Sequence, residues 1–566
     1  MKISYSWLCK YLLNQIEPEN LSKILTSVGL EVENLEKYES VKNSLEGLMV
    51  GAIIDCKPHP NADKLKVTMV DVGQPEPLQI VCGAANVNTG QKVVVATVGT
   101  TIYSIGGESL TIKKATIRSV ESWGMLCAED EVGLSNNHEG IIVLDPSATI
   151  GSKAADYFNV YSDWIYEIGL TPNRMDAMSH IGVAKDICAW LSVHDKNAQI
   201  KLPFDNHFKV DKTGKPKISV TIEDKTACKR YAGVMITDIE VKESPAWMQN
   251  KLKAIGIKPI NNIVDATNYI LHETGQPLHA FDADKIVGNQ VIVKCLPAGT
   301  SFITLDEKER KLNADDLMIC DAEKPMCIAG IFGGLNSGIS SSTKNVFLES
   351  AFFDPAHIRK TSMSHMLRTE AALRFEKGID ISNTVNVLKH AASLIKEVAG
   401  GKIMGDIMDE YPQPREKKEI IIKYHYIKKL SGKNYHPSAV KKILEHLDFE
   451  ITKESIDALF IKVPFNKPDI SLPADIVEEI MRIDGLDNIS IPEYVTIAPA
   501  VNPLAEKEMH KEKISNYLVA QGFNEIFTNS ITNSKYYSED ILQHAVKMIN
   551  NLSTELNILR PSMLET

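Results

Sequence analysis

Between about residues 40 and 151 the chain changes rhythm. Short apolar runs, Val50–Ile54, Val67–Val72, Leu78–Val81 and Val93–Val98, are separated by clusters of Gly, Pro and Asn. That spacing predicts a small all-β barrel. The flanking pieces constrain it further. Residues 1–39 read as strand–helix–strand, with Leu21, Leu25 and Val28 at helical spacing and Gly29 as a C-cap. A piece that small cannot bury a core alone. Residues 152–200 supply the other half, with a turn at Thr171-Pro172-Asn173 and a helix carrying Ile187 and Leu191. The β stretch is therefore expected as an insertion into an N-terminal α/β domain.

At 566 residues the chain needs several cores. No run approaches the length of a membrane span, and the N-terminal MKISYSWLCKYLL has a broken apolar patch with no small-residue cleavage site. Nine scattered cysteines without a CxxC pair point to reduced thiols and a cytoplasmic protein. A net charge of -11 argues against a protein that coats nucleic acid, while leaving room for local basic patches. The last residues, NILRPSMLET, stop in mid-pattern, so the chain is expected to be part of a longer one.

A Lys- and Pro-containing linker over about 195–217 leads into a domain placed at 205–400, where strand-like alternation, helices and a hairpin-rich β region predict an α+β fold. Within it, Lys258 to Asp282 sets Asn261, Asn262, Asp265, Thr267, Asn268, His272, His279 and Asp282 in an apolar background. Buried polar side chains need partners, so the stretch is either a surface helix followed by a polar loop or one wall of a pocket. Gly330, Gly333 and Gly334 follow an apolar strand; they suit close approach of a ligand to the backbone or, equally, a tight corner. Glu349 interrupts the apolar run Val346–Phe352 and is either a paired or functional carboxylate or a solvated one, depending on its face.

Residues 408–484 form a separate small α/β unit. Its basic segment, Arg415 to Lys433, reads as a solvated helix face or as a nucleic-acid contact. Pro473 starts a helix on which Asp475, Glu478 and Glu479 share a side, with Asp469 just upstream; four such carboxylates suit magnesium. The remainder, 485–566, has a helix over Lys507–Ala520 and then FNEIFTNSIT, which reads as a strand.

Three loops of the barrel region, HPNADKL, IVCGAANV and SWGMLCAEDEVGL, resemble in this order the oligonucleotide-fold (OB) tRNA-binding domain of several aminoacyl-tRNA synthetases. On that resemblance Lys64, Lys66, Lys113, Lys114 and Arg118 are candidates for phosphate contacts, and Asn61 and Asn86 for sugar or base. HPNADKL also reads simply as a well-capped turn. With INNIVDATNY, QPLHAFD, LRTEAALRFEKGID and DISLPADIVEEI, essentially the whole chain resembles the β subunit of bacterial phenylalanyl-tRNA synthetase. The resemblance implies a multidomain α+β chain: an N-terminal α/β domain with an inserted OB barrel, an α+β editing domain (B3/B4), a small α/β B5 domain and a partial class II synthetase-like module at 485–566. It implies an α partner in an α2β2 tetramer, tRNA(Phe) as a second partner, ATP used by the α subunit, and Mg2+ at Asp469, Asp475, Glu478 and Glu479.

It also implies a hydrolytic site that clears tyrosine from mischarged tRNA. A synthetic pocket made for phenylalanine rejects an added hydroxyl by only about 10²-fold, so a second site that hydrogen-bonds the hydroxyl is needed. By resemblance Glu349 accepts the tyrosine hydroxyl, His279, Thr267 and Asn268 line the ester end, and Ala329-Gly330 frames the side chain. A tRNA-binding scaffold with lapsed editing is the alternative. The chain departs from the family pattern at Ala372, where serine is usual, and in stopping near Thr566.

Overall fold

A computed structural model describes residues 1–194, 199–204, 208–215, 217–494, 497–498 and 504–565. Part of the linker expected at 195–217 therefore lies outside the described residues. The chain divides into two compact units, Met1–Ser490 and Ile491–Thr566.

In the first unit, Lys2–Ser4, Ser162–Gly169 and Glu31–Glu39 form one antiparallel sheet with Ser162–Gly169 in the middle. Pairing of residue 2 with residue 167 is what makes the region between an insertion. Helices Pro18–Ser27 and His180–His194 cover the sheet, their Leu21, Leu25, Ile187 and Leu191 buried in the main core. The first helix closes at Val28, and Gly29 takes the left-handed φ of +83° that an L side chain resists.

The inserted segment is an antiparallel β structure led by Leu48–His59, Ala62–Asp71, Leu78–Cys82 and Lys92–Thr97. Its sheet comes close to closing on itself: Trp123 donates its backbone N–H to Gln79 O at 2.8 Å, and the Ser122 hydroxyl accepts from Val81 N. Alternate residues enter two different buried clusters: Ile53, Val70, Ile80, Val93 and Val95 share one, and Val50 and Val94, on the other face, join a second.

Two sheets build the region from Ser219 onward. One orders Leu278–Asp282, Val346–Phe353, Cys228–Thr237 and Lys402–Glu410, all antiparallel; the other runs through Ser219–Ile222, Gln290–Cys295, Leu317–Cys320, Pro325–Ile328 and Phe332–Gly333. Helices Asn262–Thr274 and Thr384–Ala399 pack beside the first sheet. Val346–Phe353 is central and buried throughout, because successive side chains enter two different cores: Leu348 joins the main one, Phe347 and Ala351 a second one. Beyond it, Glu419–Lys423, Ala458–Lys462 and Glu450–Glu454 form a three-stranded sheet, with helices Tyr424–Ser431, Pro437–His446 and Pro473–Asp484.

The polar-rich stretch is not a surface helix with a loop. It is a largely buried helix, Asn262–Thr274, followed by the strand Leu278–Asp282, and most of its polar groups serve the fold. Asn261 caps the helix from Ile263 N and Val264 N. Asn262 donates to Glu240 O and Val398 O, and Asp265 accepts from the Ser244 hydroxyl and Ile260 N.

In the second unit a helix spans Ala505–Ala520, longer by two residues than expected. The strand expected over FNEIFTNSIT shrinks to Ile531–Thr532, which pairs with Ile558–Leu559. Residues 523–527 are exposed and find no neighbouring strand among the described residues, and without a ladder an apolar run does not become a strand.

Candidate functional site

Glu349 stands on the central strand, and the register decides its surroundings. On one side it lies directly opposite His279, on the other opposite Gly233. Gly233 leaves room: a Cβ there would come within 2.3 Å of the Phe347 ring. Tyr231, two residues along and on the same face, donates its hydroxyl to Glu349 Oε2 at 2.9 Å. Glu349 is 4% exposed, and around it are Phe347, Ala351 and Phe353 of the apolar second core. Burial pushes its carboxyl from 4.5 up to about 8, with the Tyr231 hydrogen bond pulling the other way.

A small cleft of about 60 Å³ opens beside this carboxyl. His279, Cys327, Gly330, Gly333, Glu349 and Phe375 line it, among others. Gly330 turns the chain with φ +67°, and a Cβ there would press on the Phe353 and Phe375 rings at 2.8 Å. The tight corner is present, and its glycines also form part of the cleft wall. His279 packs edge-on against Phe281 with centroids 4.4 Å apart, and its Nε2 is buried with no partner. Burial lowers its imidazole to about 4, so it is neutral near pH 7 and a weak proton acceptor, suited to orienting a water or a carbonyl.

Not every expected residue arrives. Thr267 and Asn268 sit on the preceding helix and are not among the cleft's lining residues; the Thr267 hydroxyl bonds back to Val264 O at 2.8 Å. Ala329 is buried behind the corner, its N–H given to Leu317 O. Cys327 and Phe375 were missed. Phe375 lies at helical spacing from Ala371 and Ala372 within LRTEAALRFEKGID, a signal that could have found it, whereas nothing around Cys327 marks it.

The four carboxylates expected to hold magnesium do not gather. Glu479, 7% exposed, pairs with Lys467 at 2.8 Å and Arg482 at 2.9 Å. Asp475 reaches back to the N–H groups of Ser471 and Leu472, an N-terminal cap. Asp469 accepts from Asn173 Nδ2, and Glu478 is exposed. Among the described residues no group of three or more His, Cys, Asp or Glu side chains is arranged to hold a metal ion. As they stand these residues do not fit the cation. Instead Lys467, Arg174 and Arg482 neutralise Asp176, Asp186 and Glu479 in one buried network joining the N-terminal domain to helix Pro473–Asp484.

In the barrel, Lys64 and Arg118 are exposed. Lys66 is committed to Val87 O at 2.7 Å, and Asn86 clamps the backbone of Ile141 from both ends of its amide. Asn61 donates to Arg118 O and takes its N–H to His59 Nδ1, as a capped turn does. Lys114 lies 4.0 Å over the exposed ring of Trp123, near a groove of about 760 Å³ that includes Lys113. In the basic segment Lys433 pairs with Asp484 and Lys417 with Glu450, while Lys428 and Lys429 lie on an exposed helix face.

Known proteins account for this order of modules. The putative tRNA binding domain matches residues 48–153, the B3/4 domain 227–400, the tRNA synthetase B5 domain 420–486, and the phenylalanyl tRNA synthetase beta chain CLM domain 491–566. The phenylalanine–tRNA ligase beta subunit of Bacteroides thetaiotaomicron is 46% identical over 570 residues, spanning all of this chain and 69% of that protein. The same subunit from Porphyromonas gingivalis is 45% identical and from Fusobacterium nucleatum 37%, each again covering all of this chain and 69% of the relative. The chain belongs to the phenylalanine–tRNA ligase beta subunit family.

Proposed function

We propose that the cleft at Glu349 is a proofreading site that hydrolyses tyrosine from mischarged tRNA(Phe), while phenylalanine is activated with ATP in an α partner within an α2β2 assembly in the cytoplasm. The observation that carries this is a single carboxyl buried in an apolar wall, with one oxygen held by Tyr231 and the cleft before it. A tyrosine side chain gives that carboxyl a hydrogen bond; phenylalanine leaves it unpaired, which is unfavourable by roughly 1–3 kcal/mol. His279 orients the hydrolytic water or the ester carbonyl. Thr267 and Asn268 stand on the helix behind it, and Ala329 contributes through the backbone of the corner. No step of this reading passes through a metal in this chain. The barrel, through Lys64, Arg118 and the groove beside Trp123, offers a tRNA contact. The test is deacylation of Tyr-tRNA(Phe) by the full complex: Glu349→Ala is expected to leave phenylalanine charging intact and let Tyr-tRNA(Phe) accumulate, and undiminished deacylation overturns the assignment.

A further inference from the structure

We propose that Tyr231 is a positioning residue for tyrosine selection: its hydroxyl fixes Glu349 Oε2, leaving Oε1 as the oxygen that meets the substrate hydroxyl. The proposal rests on the proofreading reading and deepens it.

Three observations carry it. First, the pair is built by register. Tyr231 stands opposite Ala351, one same-face step from Glu349, and both side chains are buried, so the 2.9 Å contact is held by two neighbouring strands. Second, Tyr231 is the only hydrogen-bond partner of this carboxyl among the described residues. Its Oε1 accepts no hydrogen bond from the described residues. His279, directly across the other strand pair, does not supply one, and its own Nε2 is likewise unpartnered. The two open groups both belong to side chains lining the cleft. Third, the space that would let the carboxyl turn away is filled. Gly233 is opposite Glu349 with the Phe347 ring where its Cβ would be. Without the Tyr231 hydroxyl nothing polar fixes the rotation of the carboxyl group about its last bond.

The titratable groups around Glu349 are Tyr231 and Cys228 on one neighbouring strand, His279 on the other, and Cys327 across the cleft. Burial holds both thiols protonated and His279 neutral. Among these neighbours only the Tyr231 hydroxyl therefore favours the ionised carboxyl, and its removal raises the Glu349 pKa further.

The experiment is Tyr231→Phe in the full complex, with kcat and KM for deacylation of Tyr-tRNA(Phe) and Phe-tRNA(Phe) measured across pH 6 to 9.5, beside Glu349→Ala. The Tyr-over-Phe ratio is read within one preparation, so partial misfolding does not move it. Above pH 8, where the carboxyl is ionised, the expected result for Tyr231→Phe is a ratio lowered about tenfold, for one lost hydrogen bond to a charged group. The loss falls on KM, and the acid limb of kcat/KM for Tyr-tRNA(Phe) moves to higher pH. An unchanged ratio and unchanged limb in Tyr231→Phe, with selectivity lost in Glu349→Ala, overturns the role of Tyr231 and leaves the site reading standing. Selectivity retained in Glu349→Ala overturns the reading itself and the proposal with it.

Discussion

Glu349 and Glu479 are buried to nearly the same degree, 4% and 7% exposed, and opposite things happen to them. Glu349 meets one neutral hydroxyl and an apolar wall, and desolvation drives its carboxyl up to about 8. Glu479 meets an ammonium and a guanidinium, and the same desolvation is outweighed by the attraction of Lys467 and Arg482, which bring it down to about 2. Burial alone therefore says nothing about the role of an acid. A carboxyl with all its capacity answered by charge ties elements together; one left with an open oxygen beside a cleft is available to a ligand.

The difference predicts opposite responses to mutation. The largest effect is expected in the network. Lys467→Met takes from Glu479 and Asp176 an ammonium 2.8 Å from each and leaves three buried acids to share Arg174 and Arg482, and should cost about 3–5 kcal/mol in denaturant unfolding at pH 7. A loss below 1 kcal/mol would mean the network is not the structural counterpart of the Glu349 site.

Glu349→Gln should act the other way, increasingly so as pH rises above about 4.5. The folded carboxyl keeps its proton up to about 8 and the unfolded one releases it near 4.5. Its favourable contribution is thus complete below pH 4.5 and is lost as pH rises through 8. The amide should match the parent near pH 4 and exceed it by a few kcal/mol near pH 9, read as a melting-temperature difference that grows with pH. For Glu479 the window is inverted: its contribution is present above 4.5 and disappears as pH falls through 2.

Gly330→Ala tests the cleft wall. With φ at +67° and two phenyl rings 2.8 Å from the new Cβ, a loss of roughly 1–3 kcal/mol is expected, together with slower Tyr-tRNA deacylation. The smallest effect belongs to the barrel surface. Lys64→Ala and Arg118→Ala should each leave stability within about 0.5 kcal/mol and lower the salt slope of tRNA binding by about one. An unchanged slope would place the tRNA contact elsewhere, for instance at Lys114 and Trp123.

The contrast was only partly visible in the sequence. The module order was legible because hydrophobic rhythm and glycine caps are local, as with Gly29 and with Pro473 at the start of its helix. So was the pairing of His279 with the Glu349 region, although through resemblance and not through pattern: seventy positions separate them and only strand register brings them opposite. The assignments that moved depend on partners that sequence spacing does not reveal. Four carboxylates at helical spacing look like one ligand set until Lys467 and Arg482 claim Glu479 and backbone amides claim Asp475. Thr267 and Asn268 look like pocket residues until the helix is seen to turn the threonine onto Val264 O. Lys66 and Asn86 look free for RNA until each is found on a backbone carbonyl.

The most direct test of the central claim, that one open carboxyl reads a phenol hydroxyl, is calorimetric titration of the protein with L-tyrosine and with L-phenylalanine. At pH 9, where the Glu349 carboxyl is ionised, tyrosine is expected to bind about ten- to a hundredfold more tightly, the equivalent of one hydrogen bond to a charged group, and Glu349→Ala should erase that preference. Equal affinity for the two amino acids, or a preference that survives Glu349→Ala, would contradict it.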